Sequence, residues 1–85
     1  MKVQVRYFAG VRETVGVSQE EWTFPDAVQT VEQARQWLIG QSGRHAAALA
    51  PDRPLRMACN QVMSDGGVVL QPGCELAFFP PVTGG

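Results

Sequence analysis

Thr30-Val31-Glu32-Gln33-Ala34-Arg35-Gln36-Trp37-Leu38 carries helical spacing in a chain whose other ordered stretches alternate, and its place between strands decides the fold class. Its opening Thr-x-x-Gln has the form of a capping box, in which hydroxyl and side-chain amide satisfy orphan N–H groups at a helix start. Val31, Ala34 and Leu38 form an inward stripe, Glu32, Arg35 and Gln36 are left for water, and Gly40 and Gly43 stop the helix. Towards the N-terminus, Pro25-Asp26 close a short alternating run, Glu20 to Phe24, with Trp22 and Phe24 opposite Glu21 and Thr23. Further back, Lys2 to Phe8 alternates with Val3, Val5 and Tyr7 on one side and Gln4, Arg6 and Phe8 on the other. A link running from Gly10 through Gly16 joins these two strands as a hairpin.

Beyond the helix, the Ala-rich piece Arg44 to Ala50 is expected to add a helical turn or two before Pro51, and Asp52-Arg53-Pro54 is loop. Leu55 to Asn60 alternates, with Leu55, Met57 and Cys59 on one face. Asp65-Gly66-Gly67 and Gln71-Pro72-Gly73-Cys74 are turns on either side of the apolar piece Val68-Val69-Leu70. The last strand is Glu75 to Phe79, with Leu76 and Phe78 facing one way and Glu75, Ala77 and Phe79 the other. Strand, strand, helix, strands is an α+β order: a mixed sheet with one main helix packed across one face. Val3, Val5, Tyr7, Trp22, Phe24, Val31, Ala34, Leu38, Met57, Leu76 and Phe78 make the expected core.

Composition narrows the function classes. Eighty-five residues, 45% of them hydrophobic, form one small domain. A chain of this size buries only about 60–65% of its unfolded surface, which argues against an enclosed active-site cleft. Seven Lys+Arg against eight Asp+Glu leave no basic footprint for nucleic acid or an anionic membrane. Partners are then recognised by shape and apolar contact. The two cysteines are too few for a disulfide framework, the N-terminal residues lack the apolar stretch of a signal peptide, and the expected location is the cytoplasm.

A sheet covered on one side should be polar on the other, and Phe8 and Phe79 break that rule. If their strands are neighbours, the rings form an exposed patch suited to docking; otherwise they are two singly exposed aromatics. The domain spans residues 1–79, and the tail 80–85 reads Pro80-Pro81-Val82-Thr83-Gly84-Gly85. The prolines cannot donate to a ladder and send the chain outward, with a reach of at most about 20 Å. Terminal glycines either fray or serve a mechanical purpose, passing a bare carboxylate through a slot too narrow for a Cβ. Other residues offer little chemistry. Cys59 is expected in the core and Cys74 accessible in its turn; His45, without a second ligand at metal spacing, is expected on the surface, and no metal site is foreseen. Gly66-Gly67 lacks the Lys and Ser/Thr of a phosphate loop, Asp65 and Glu75 do not pair as acid and base, and no Ser-His-Asp arrangement is evident.

The run Glu75-Leu76-Ala77-Phe78-Phe79-Pro80-Pro81-Val82-Thr83-Gly84-Gly85, with Phe8-Ala9-Gly10-Val11-Arg12-Glu13 and Ala58-Cys59-Asn60-Gln61, resembles the MoaD family, small subunits of molybdopterin synthase among the ubiquitin-like β-grasp sulfur carriers. The resemblance implies a β-grasp fold whose Gly85, approached through Gly84, is adenylated and converted to a thiocarboxylate. The sulfur would then pass to cyclic pyranopterin monophosphate, the active site belonging to a large subunit rather than to this non-catalytic, sulfur-donating chain. It implies partner contacts at Phe8, Met63 and Phe79, with Pro80, Pro81, Val82 and Thr83 leading into the partner. Implied partners are that large subunit, a ubiquitin-activating-type adenylating enzyme and a sulfur donor protein. No cofactor is expected to be held stably, ATP being used by the activating enzyme. Cys74 departs from the family, which has Asp in a Gly-Asp-Glu turn there. The alternatives are a thiazole-pathway or other ubiquitin-like sulfur carrier, which shares the Gly-Gly end but not the Phe-Phe-Pro-Pro approach, and a non-catalytic adaptor docking through Phe8 and Phe79.

Overall fold

The computed structural model describes residues 1–81. Its elements run β1 (Lys2–Tyr7), α1 (Ala9–Val15), β2 (Gln19–Thr23), α2 (Val31–Ile39), α3 (Gly43–Leu49), β3 (Arg56–Cys59), β4 (Val62–Ser64) and β5 (Glu75–Phe79). The strands form one five-stranded sheet in the order β2-β1-β5-β3-β4. The first and last strands are parallel neighbours, with Tyr7 beside Phe78, and the other pairs are antiparallel. This is the mixed sheet expected from the element order.

The alternation of β1 and β5 does what period-two patterning requires. Val3, Val5, Tyr7, Leu76 and Phe78 are fully buried against Phe24, Val31, Ala34 and Leu38. Trp22 and Met57, expected in the same set, sit at the margin of the core and are partly buried. There Trp22 meets Trp37 edge to face at 5.3 Å, and Phe24 meets the same ring at 5.1 Å.

The capping box at Thr30 is formed in both directions: Gln33 N–H donates to Thr30 Oγ1, and Thr30 N–H donates to Gln33 Oε1. Two further N–H groups of that first turn are taken by the apolar piece and its turn, Val31 by the Val68 carbonyl and Glu32 by the Gly66 carbonyl, each at 3.0 Å. Leu70 N–H returns to the Gln29 carbonyl at 2.8 Å, so residues 66–70 bind the start of the helix to the sheet side of the molecule.

Two expectations about helices need correction. The link between Gly10 and Gly16 is the helix α1, whose Val11 and Val15, one turn apart, are buried. Seven residues with two valines and a glycine have little intrinsic helicity; burial of that apolar pair supplies it. Gly16 ends it at φ 99°, a conformation in which a Cβ would be strained. Arg35 is buried rather than left to water. Its Nε donates to the Leu49 carbonyl at 2.8 Å, and its Nη2 donates to the carbonyls of Ala50 at 2.6 Å and Arg53 at 3.0 Å. A cation at the end of α3 completes carbonyls the helix leaves open, which is why the position inside α2 takes a charged residue.

Replacing Arg35 by Ala leaves three inward carbonyls without a donor and is expected to cost about 3 kcal/mol. Arg35→Lys should recover less than half of that, since a single ammonium cannot reproduce the planar fork. Urea unfolding midpoints of the two variants check both values.

Candidate functional site

The outward face of the sheet is not uniformly polar, and register explains how its apolar part assembles. Because β1 and β5 run parallel with Tyr7 beside Phe78, the next residue of each strand emerges at the same end: Phe8 N–H donates to the Phe78 carbonyl at 3.1 Å. The rings of Phe8 and Phe79 meet edge to face at 6.4 Å and 89°. Phe8 is 39% exposed and Phe79 half-buried, so the two are a joined patch rather than separate aromatics. Behind them Arg6 lies over the Phe8 ring at 5.2 Å while its Nη1 pairs with Glu75 Oε1 at 3.0 Å.

Met63 reaches this face through a tight hairpin. Asn60 and Gln61 have φ of 49° and 67°, the positive pair of a type I′ turn, and with Cys59 opposite Val62 they bring Ala58 opposite Met63. Across the sheet Arg6 lies beside Ala77, Ala77 faces Ala58, and Ala58 faces Met63. Two alanines in that row make a shallow floor between the Phe8/Phe79 rings and Met63, which is 56% exposed. Periodicity alone did not reach Met63; an Asn opening a two-residue connection is the signal that sets its register.

At the exit of β5, Pro80 and Pro81 line an open groove of about 450 Å³ with Gly10, Val11, Arg53, Pro54 and Leu55. Val82, Thr83, Gly84 and Gly85 lie outside the described residues. Among the described residues no group of three His, Cys, Asp or Glu is placed to hold a metal ion, and no helix is long and apolar enough to cross a membrane.

The remaining candidates are structural. Cys59 packs at the edge of the core, and Cys74 is buried, not accessible, because its turn folds the side chain inward and its backbone is held between Gln71 and Gln4. Burial pushes the Cys59 thiol above its ordinary pKa, as do the charge and hydrogen bond of Cys74 beside it. Neither thiol is placed as a nucleophile. His45 is buried as well, contrary to the surface position expected for it. Ser42 Oγ lies 2.7 Å from its Nδ1 and Glu20 Oε2 lies 2.9 Å from its Nε2, a Ser-His-Glu line that sequence spacing did not reveal. That line is a brace: Ser42 caps α3 by accepting the His45 N–H, and Glu20 Oε2 also accepts from Tyr7 Oη and Trp22 Nε1, both at 2.8 Å. Burial raises the Glu20 pKa, but hydrogen bonds from His45, Tyr7 and Trp22 outweigh it and hold the carboxyl below its ordinary value. Burial, with the Glu20 hydrogen bond and charge, pushes the Tyr7 phenol far above its own, so Tyr7 remains a donor.

What the geometry defines is a ubiquitin-like β-grasp domain with one exposed aromatic face at the root of a C-terminal extension. Its sequence and backbone relationships carry this further. The model of the ThiS family matches residues 5–85. The molybdopterin synthase sulfur carrier subunit of Escherichia coli strain K12 is 46% identical over 85 residues, covering 98% of this chain and 99% of that protein. The small archaeal modifier protein 1 of Haloferax volcanii superposes with TM-score 0.75 at 26% identity, covering 95% of this chain and 98% of its own. A chain of the complex of subunits 1 and 2 of molybdopterin-converting factor from Helicobacter pylori covers all of both chains (100%) with TM-score 0.67 at 22% identity, a likeness of fold. The chain belongs to the ThiS family, and its whole length is shared with a sulfur carrier subunit of molybdopterin synthase.

Two outcomes follow from these positions. Phe79→Asp should lower stability by no more than about 1.5 kcal/mol, whereas Phe78→Asp, one residue earlier and fully buried, should prevent folding; circular dichroism through a urea titration separates them. Because the folded Glu20 pKa is depressed, its contribution is fully present above the unfolded carboxylate pKa and is lost as pH falls through the folded one. Glu20→Gln should therefore flatten the acid limb of the stability curve below the ordinary carboxylate range, read as urea unfolding midpoints against pH.

Proposed function

We propose that this chain, a sulfur carrier of the molybdopterin synthase type by its family and its whole-length relative, works by lending a C-terminal carboxylate to other proteins' active sites. The observation that carries the reading is the continuous run from β5 through Pro80-Pro81 to Gly84-Gly85: a rigid central strand delivers the chain past an aromatic patch to an end without side chains.

A free carboxylate resists substitution, so Gly85 is activated first. Its oxygen attacks the α-phosphate of ATP on a ubiquitin-activating-type adenylating enzyme, displacing pyrophosphate and giving an acyl adenylate. A persulfide of a donor protein then attacks the acyl carbon and AMP leaves, giving an acyl disulfide. A second thiol attacks the donor's sulfur and breaks the S–S bond, so that the donor departs as a disulfide with that thiol and the terminus is a thiocarboxylate. In the large synthase subunit that sulfur passes to cyclic pyranopterin monophosphate on the way to molybdenum cofactor, and water restores the carboxylate. The chain holds no cofactor stably; ATP belongs to the activating partner, and the sequence of events is cytoplasmic. Phe8, Met63 and Phe79 dock the partner, while Pro80, Pro81, Val82 and Thr83 lead Gly84 and Gly85 through a passage that admits no Cβ.

Intact mass after incubation with the activating enzyme, ATP and a sulfur donor should rise by the difference between sulfur and oxygen at Gly85; an unchanged mass under those conditions sinks the carrier reading. Deleting Gly85, or changing Gly84 to Trp, should abolish the gain in mass or its onward transfer and leave the unfolding midpoint in place. Phe79→Asp should weaken binding of the large subunit by about 2 kcal/mol or more, exceeding its cost to stability.

A further inference from the structure

The aromatic face is flanked by cations on the side from which the tail leaves. Arg56 on β3 stands directly across from Phe79 on β5. Arg53 lines the same groove as Pro80 and Pro81. Both side chains are exposed. Among the described residues the ion pairs are Lys2–Glu21, Arg6–Glu75 and His45–Glu20, so neither Arg53 nor Arg56 is in one. Asp65 shares a groove with Arg56, but its Oδ1 is turned to the Gly67 N–H at 2.9 Å.

The backbone beneath these cations is held. Arg56 sits in a strand paired on both sides, and the Arg53 carbonyl is one of those that buried Arg35 grips, at 3.0 Å. Arg6, by contrast, is already neutralised by Glu75 and supports the Phe8 ring. Several carboxylates lie elsewhere: Glu20 and Glu21 on β2, Glu32 on the first turn of α2. Unpaired guanidinium groups on fixed anchors thus bracket the tail root, where a docked protein would strip water from them. Facing a neutral or basic surface they would lose hydration without return; facing carboxylates they gain charge-assisted hydrogen bonds.

We infer that the partner surface covering Phe8, Phe79 and Met63 is apolar at its centre and carries carboxylates on both sides of the tail entrance, set to meet Arg56 and Arg53. This rests on the reading of that face as the docking surface for the large synthase subunit. The ion pairs fix the rotational register in which the tail enters, a task the apolar centre cannot perform because dispersion contacts are non-directional.

Association of the large subunit with wild type, Arg56→Glu, Arg53→Glu and Lys2→Glu, measured by stopped flow at low and high salt, tests this. Each arginine reversal should slow association roughly tenfold at low salt, the deficit closing as salt screens it, while Lys2→Glu at the far end of β1 behaves as wild type. Unfolding midpoints of the arginine variants should stay in place, since neither side chain is hydrogen-bonded within the described residues. Reversals that associate like wild type, or that lose the same factor at both salts, overturn the inference while leaving the docking face intact. A wild-type chain that fails to bind the large subunit at either salt overturns the docking reading, and this inference with it.

Discussion

The parallel pairing of β1 with β5 governs the rest of the molecule. With Gln4 beside Glu75 and Tyr7 beside Phe78, no hairpin can join the two strands, so the chain between them, besides adding β2, β3 and β4 to the sheet, must cross over one of its faces. The helices α1, α2 and α3 occupy that crossover and bury their apolar residues against Val3, Val5, Tyr7, Leu76 and Phe78. The opposite face is left open, and the same register sets Phe8 beside Phe79 there. Core and aromatic patch are thus two consequences of one ladder.

Polar groups inside the fold serve to fasten the crossover. Residues 66–70 and the capping box complete the N–H groups at the start of α2. Arg35 ties the same helix to the end of α3 and to the loop before β3, and Glu20, His45 and Ser42 brace α3 against β2. Each brace lies on the helical side of the sheet. The open face can therefore differ in its side chains without disturbing what holds the helices.

Much of the architecture was legible from spacing. Alternation in Lys2–Phe8 and Glu75–Phe79 and the capping box at Thr30 are local signals with direct physical causes, and the elements appear where those signals lie. What spacing could not carry was tertiary. Helix α1 depends on burial of Val11 and Val15, Arg35 and His45 are buried because distant carbonyls and a carboxylate satisfy them, and Cys74 is turned inward by its loop. The aromatic patch was legible only conditionally, since sequence showed two misplaced rings without showing that their strands touch. Met63 needed the Asn60-Gln61 turn, whose paired positive φ values shift which residue of a three-residue strand faces outward.

The central position of β5 also has a mechanical side. It is hydrogen-bonded to β1 on one flank and β3 on the other, and the tail continues from its end. A partner that drew the tail into a narrow passage, as proposed, would pull along the axis of that strand. Force applied in this direction loads both ladders in shear, so their bonds resist together, whereas an edge strand peeled sideways would yield one bond at a time. The strand that presents the tail is thereby the one best anchored against being pulled out with it.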